Sequence, residues 1–237
     1  MKNIYEPKFV EKLFDKMSNS YSKMNYVTSF GFSERWRKQC VKEIEIEKGK
    51  TVVDLMTGMG ECWKYILKNS DNDSKLIGLD FSTEMTNRAT KNKIKFKNSK
   101  IEVLKEDVFQ NTIEMASVDY IISGFGIKTF NDEQLGKLAE EFERILKLNG
   151  KFSLIDVSVP KNKILKKIYL FYLKNIIPFL GKIFVGNPES YKMLGVYTEE
   201  FKNSKNVFEI FYNLGFEVEY IEYFFGCASG IKGKKIK

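Results

Sequence analysis

Between residues 50 and 157 short runs of aliphatic and β-branched residues alternate with segments of helical periodicity, and this alternation restricts the fold more than any other feature of the chain. Five runs, 51–55, 76–80, 101–104, 118–123 and 152–157, are bordered by turn or charged residues, the pattern of strands covered on both faces. Residues 61–68, 83–91 and 132–147 between them read as helices. Repeated β-α units of this kind predict an α/β protein with a mostly parallel, doubly wound, Rossmann-like sheet. Ser82 is placed to cap the second helix with Glu84 in its first turn, and Asn149-Gly150 to close the third. A further helix is expected near 203–213, then a turn at Gly215 and a late strand over 217–225. The first 45 residues look helical and are taken as a cap on a single domain spanning 1–237, with a core at 50–160 and an insertion at 161–200.

Composition removes several kinds of chemistry. The 237 residues include no histidine, so Ser-His-Asp and Cys-His triads and imidazole bases are excluded. Cys40, Cys62 and Cys227 contain no C-x-x-C pair, which argues against a structural zinc site or a disulfide framework and for a reducing compartment. No metal site is expected. Charged residues interrupt the first twenty positions, so no signal-peptide core is read there and a cytoplasmic protein is expected. The formal charge is +8, and from Lys161 to Pro188 there are six lysines and no acid. Residues 164–184 are apolar enough to invite a spanning helix, but Lys166, Lys167, Lys174 and Lys182 interrupt them and Pro178 and Gly181 break the pattern. The segment reads instead as a basic amphipathic helix whose apolar side packs on the domain or meets an anionic membrane or a greasy substrate.

The first strand runs into Asp54-Leu55-Met56-Thr57-Gly58-Met59-Gly60-Glu61, at the strand end where doubly wound sheets bind ligands. A dinucleotide fingerprint would need a small residue where Trp63 stands, so NAD is disfavoured. Asp54 and Glu61 flank the glycines with negative charge, which suits a cation such as S-adenosylmethionine better than a pyrophosphate. Asp80, closing the second strand, is placed to accept from both hydroxyls of a ribose, and Asp107 after the third to receive the adenine amino group.

These residues resemble the motifs of class I S-adenosylmethionine-dependent methyltransferases. The resemblance narrows to the UbiE/MenG group, the C-methyltransferases of ubiquinone and menaquinone biosynthesis. Phe14-Asp15, Tyr21, Met24-Asn25, Ser29-Phe30-Gly31 and Arg35-Trp36-Arg37-Lys38 are similar to that group's N-terminal cap. Residues 123–128 resemble its post-strand loop, and 156–160 its strand exit. Residues 168–181 and Ser190-Tyr191-x-x-Leu194 resemble its regions around a polyprenyl acceptor. The resemblance implies a seven-stranded sheet and a cofactor site of Asp54, Gly58, Gly60, Asp80, Phe81, Asp107, Val108 and Ser123. It also implies methylation of the ring of a polyprenylated hydroquinone, such as demethylmenaquinol or a ubiquinone precursor. The chain departs from the group's pattern at Met56, where a small residue is usual, at Lys128-Thr129 in place of Arg-Asn, at Tyr21-Ser22 in place of Tyr-Asp, and in the loosely matching 228–233.

A hydroquinone hydroxyl with a pKa near 10 is ionised in only about one molecule in a thousand at pH 7, so a cation or hydrogen-bond donor must favour the phenolate. With histidine absent, Lys128 is the expected electrostatic partner of the developing oxyanion, and Tyr21 and Tyr191 the expected hydrogen-bond contacts. Expected partners are an apolar small-molecule acceptor, a membrane surface touched peripherally through 161–184, and a second copy in a homodimer. Alternatives are another aromatic or lipid-like acceptor, a non-catalytic cofactor binder, and a nucleic-acid module. The last is disfavoured because the lysines sit among aliphatic residues without a recognisable nucleic-acid motif.

Overall fold

A computed structural model describes residues 3–69, 73–97, 99–185 and 188–237. Its centre is a seven-stranded sheet in the order β3-β2-β1-β4-β5-β7-β6. The strands are β1 (Thr51–Leu55), β2 (Lys75–Asp80), β3 (Lys100–Lys105), β4 (Val118–Gly124), β5 (Leu146–Val157), β6 (Glu217–Tyr223) and β7 (Ala228–Lys234). Neighbouring pairs from β3 through β5 are parallel, and β7 runs antiparallel to both β5 and β6. The chain reverses its winding between β1 and β4, so a crevice opens at their carboxyl ends.

Alternation along each strand feeds two cores. Val53 and Leu55 join Ile121, Phe142, Phe152 and Phe211 under α6 (Asp132–Ile145) and α10 (Lys205–Leu214). Val52 joins Trp36, Cys40, Trp63, Ile66 and Ala89 on the opposite face, beneath α3 (Phe32–Lys42), α4 (Trp63–Ile66) and α5 (Thr83–Lys93). A third cluster ties α1 (Pro7–Met17) and α2 (Tyr21–Thr28) to Met59, Met85, Tyr191 and Tyr197. Ser82 caps α5 as expected, accepting from the Met85 amide at 3.2 Å.

Three expectations are corrected. Asn149-Gly150 does not close a helix. The helix gives way at Leu146 to β5, which pairs with Val118, slips register, and carries Asn149 at φ 63° through the irregularity. The predicted helix 61–68 is a single α-turn, Trp63–Ile66, followed by a 3-10 turn. The late strand ends at Tyr223 rather than 225, and β7, which was read only as a loose motif, inserts between it and β5.

The basic segment comprises α7 (Lys163–Phe171), a π-turn (Tyr172–Ile176) and α8 (Ile177–Val185), leading to α9 (Pro188–Phe201); residues 186 and 187 of the predicted stretch lie outside the described residues. Its apolar side does not all pack on the domain. Leu165 and Tyr169 turn inward, while Ile164, Ile168 and Phe171 stay exposed. No helix among the described residues is long and apolar enough to cross a membrane.

Candidate active site

The loop after β1 is built around close approaches. Gly60 has φ 84°, and a Cβ there would lie 2.5 Å from the Trp63 ring; a Cβ at Gly78 on β2 would lie 2.7 Å from the same ring. The fully buried indole is therefore accommodated by glycine on both sides, which is why a large residue stands where a dinucleotide fold needs a small one. Trp63 Nε1 donates to Thr57 Oγ1 at 2.9 Å, and Thr57 Oγ1 donates to Asp54 Oδ2 at 2.5 Å, fixing the carboxylate behind the loop. Asp80 bridges the loop to α5: Oδ2 accepts from the Gly58 amide at 2.8 Å and Oδ1 from the Ser82 amide at 2.9 Å. Gly60 thus shapes the turn and faces Trp63, standing outside the cavity lining expected of it. Ser123, fully buried, also lies outside that lining, and its hydroxyl finds no partner among the described residues.

The crevice forms a cavity at the carboxyl ends of the central strands. Asp54, Gly58, Asp80, Phe81, Asp107 and Val108 line it together, as the sequence predicts, and Val10, Phe14 and Tyr21 of the cap cover it. Burial pushes the Asp54 carboxyl up to about 7 against the Thr57 hydrogen bond, with Glu61 adding repulsion. Burial likewise raises Asp80 to about 7 despite its two amide donors. A site that withholds water from two carboxylates beside a third acid, Glu61, favours a ligand that brings positive charge and hydroxyl donors. S-adenosylmethionine fits this donor set, whereas a pyrophosphate would meet three acids.

A second, more open cavity lies beyond it. Lys128, Tyr21 and Tyr191, the three predicted catalytic candidates, all line it, among a wall dominated by Phe, Tyr, Leu and Ile. Tyr21 and Phe125 belong to both cavities and form the partition between them. Phe125 holds φ 72° to do so, a left-handed conformation uncommon for a bulky residue. Lys128 is not a solvated loop lysine, being only 4% exposed. Its Nζ donates to Asp156 Oδ1 at 2.7 Å and to the Phe125 carbonyl at 3.0 Å, leaving one ammonium proton without an acceptor among the described residues. Burial raises the Tyr21 hydroxyl well above its ordinary range, so it stays a neutral donor. The Tyr191 hydroxyl is bonded to Ser20 at 2.8 Å, so this residue offers the cavity its ring.

Sequence reasoning did not single out Arg37, Phe125 or Asp156 as site residues. The Arg37 guanidinium, 3% exposed, lies 4.8 Å over the Phe125 ring and 4.0 Å from Glu61. Its signal was available: Ser33, Trp36, Arg37, Cys40 and Val41 form the buried stripe of α3, with one cation on it. Ser22, the departure from the Tyr-Asp pattern, donates to Glu61 at 2.8 Å.

The topology and an acid-lined crevice at the winding reversal define a class I methyltransferase. Solved structures share this fold: a SAM-dependent methyltransferase from Aquifex aeolicus (TM-score 0.59, 23% identity, 84% of this chain and 88% of that one) and a putative S-adenosyl-L-methionine-dependent methyltransferase from Methanococcus maripaludis (TM-score 0.62, 20% identity, 94% of each). The chain belongs to the ubiE/COQ5 methyltransferase family, whose sequence profile matches residues 1–235. Its methyl donor is S-adenosylmethionine. Similar curated proteins include the demethylmenaquinone methyltransferases of Oceanobacillus iheyensis (31% identity, 95% of this chain and 94% of that one) and Lactococcus lactis subsp. lactis (36% identity, 89% and 83%).

The raised carboxyls give donor binding a pH dependence of defined sign. A cationic ligand held by the ionised acids should lose affinity between pH 8 and 6 by roughly tenfold for each group near 7 that must lose a proton. In the ligand-free protein both folded values lie above the ordinary aspartate value of 3.8. The unfolded chain then binds fewer protons, and stability declines as pH rises from about 4 to 7. Calorimetric titration across this range with proton release measured, and melting without ligand, check both signs; affinity independent of pH would remove the assignment.

Proposed function

We propose that this chain methylates a ring carbon of a reduced, polyprenylated quinone of the demethylmenaquinol kind. The observation that carries the reading is the pair of cavities meeting at Tyr21 and Phe125: one is acid-lined and suited to a cationic nucleoside, the other aromatic with Lys128 in its wall. The printed names of the relatives support the same acceptor. When bound, S-adenosylmethionine supplies an electrophilic methyl group on a sulfonium. Asp54, Asp80 and Asp107 would hold the nucleoside, with Asp80 placed to accept from the ribose hydroxyls and Phe81 and Val108 lining the same cavity. Phe14 and Tyr21 of the cap and Leu165, Tyr169, Tyr172 and Tyr191 of the insertion, which line the cavities, would exclude water and align the acceptor ring across the Tyr21–Phe125 partition. Lys128 would direct its remaining ammonium proton as a hydrogen bond to the acceptor oxygen and favour the ionised hydroxyl, which makes the ring carbon a stronger nucleophile toward the donor's methyl group. Transfer would leave the donor as its neutral thioether, and the methylated ring carbon would give up its proton to water to restore the aromatic ring. The same reading sets the 161–184 segment against a membrane surface, the source of so insoluble an acceptor.

The test is incubation of the purified chain with S-adenosylmethionine and a short-tailed demethylmenaquinone, reduced or oxidised. Mass spectrometry should find the gain of one methylene on the ring of the reduced form only. No gain, or equal methylation of the oxidised form, overturns the reading.

A further inference from the structure

We propose that the mouth of the acceptor cavity is a docking face for an anionic lipid leaflet, formed jointly by α7, the α2–α3 junction and the aromatic tip between β6 and β7. The inference rests on the apolar acceptor proposed above and assigns the surface that delivers it. Ile164, Ile168 and Phe171, spaced i, i+4, i+7 on α7, are 74%, 61% and 59% exposed, a stripe distinct from the inward face of Leu165, Tyr169 and Tyr172 that lines the cavity. Phe30 and Phe225, from opposite ends of the chain, are 81% and 80% exposed.

These aromatics are held out against backbone preference. Phe30, Phe224 and Phe225 have φ of 50°, 43° and 57°, left-handed values that bulky residues rarely adopt and that persist only when the surroundings enforce them. Water alone gives no reason to present phenylalanine this way. The exposed rings are also continuous with the cavity. Phe30 stacks on Tyr172 with centroids 6.2 Å apart, and Phe224 lies against Phe32 at 4.4 Å and Phe225 at 5.4 Å. Phe30, Phe32, Tyr172 and Phe224 line the opening itself. A tail leaving the ring pocket therefore passes directly into this surface.

Charge complementarity selects the occupant. Lys161 and Lys174 are engaged by Glu222 and Glu199, whereas Lys163, Lys166 and Lys167 are exposed beside the apolar stripe and make no ion pair among the described residues. Free lysines flanking exposed apolar side chains match headgroup phosphates above acyl chains. A second copy packed on the same face by a two-fold axis would bring these lysines against their own equivalents, which is unfavourable.

Co-sedimentation of the full chain with phosphatidylcholine vesicles, with and without phosphatidylglycerol, tests the face without donor or acceptor present. Binding is expected only with phosphatidylglycerol and should weaken with salt. The variant Ile164→Gln/Ile168→Gln/Phe225→Asn should lose roughly tenfold or more in vesicle affinity; asparagine tolerates the left-handed backbone at 225. Lys163→Gln/Lys166→Gln/Lys167→Gln should lose about fivefold per lysine near the surface. Both variants should retain turnover of a soluble short-tailed acceptor, because none of the altered residues lines either cavity. Absence of vesicle binding, equal binding to neutral vesicles, or a solution dimer that the apolar variant dissociates would overturn the proposal. Failure of the methylation reading shows separately, as no turnover of the soluble acceptor.

Discussion

Replacing Asp80 by asparagine should weaken binding of S-adenosylmethionine by roughly two orders of magnitude, since about 3 kcal/mol is at stake in two hydrogen bonds to a charged acceptor. No other single change is expected to cost the donor site as much. Asp80 accepts from the amides of Gly58 and Ser82, so its carboxylate is already oriented before a ribose arrives and needs no rearrangement to receive both hydroxyls. An amide of the same size keeps one acceptor oxygen, turns the other position into a donor, and removes the charge that favours the sulfonium. The spent thioether, which lacks the sulfonium but keeps the ribose, should lose nearly as much affinity. Calorimetric titration with both nucleosides measures the ratio, and melting of the ligand-free variant registers any damage to the loop. Affinities within about threefold of the parent would remove Asp80 from the sugar clamp.

The second large effect concerns Lys128, and the obvious variant is the wrong one. Lys128→Met leaves the Asp156 carboxylate, 0% exposed, without its cation, and an uncompensated buried charge costs about 3–5 kcal/mol. Lost turnover in that variant would therefore register unfolding as readily as chemistry. Lys128→Met/Asp156→Asn removes both charges together and should melt well above the single variant. If Lys128 supplies the donor to the acceptor oxygen, kcat of the double variant should fall about 10²-fold while affinity for S-adenosylmethionine stays near that of the parent. Unchanged kcat in a folded double variant would sink the role.

The lining of the acid-rich cavity was legible because it is local: Asp54, Gly58, Asp80 and Asp107 each stand at or just beyond a strand end that hydropathy alone marks. The acceptor half is not local. Tyr21, Phe125, Tyr172 and Tyr191 come from four segments that tertiary packing alone brings together, and no spacing rule connects them. The Lys128–Asp156 pair is intermediate. Gly124 and Ile155 are neighbours in the β4–β5 register, so Lys128, in the turn after β4, and Asp156, near the end of β5, come together once the strand order is known. Gly60 and Ser123 stand outside the cavity lining, because a place in the glycine loop or at the end of a strand does not by itself turn a residue toward the cavity. Strand β7 was not placed by the hydropathy pattern, because Gly230 and Gly233 interrupt it. A Cβ at Gly230 would lie 2.0 Å from the Leu154 carbonyl oxygen and one at Gly233 2.5 Å from the Phe152 ring, so a position that looks unfit for a strand is the one the tight inter-strand approach requires.

The shared wall of Tyr21 and Phe125 also bears on how the catalytic cycle is ordered. Two chambers that abut but do not overlap let both reactants be resident at once, so no side chain need carry the methyl group between half-reactions. Steady-state plots against the two reactants would then intersect rather than run parallel, and a donor bearing a chiral, isotopically labelled methyl would deliver it with a single inversion of configuration.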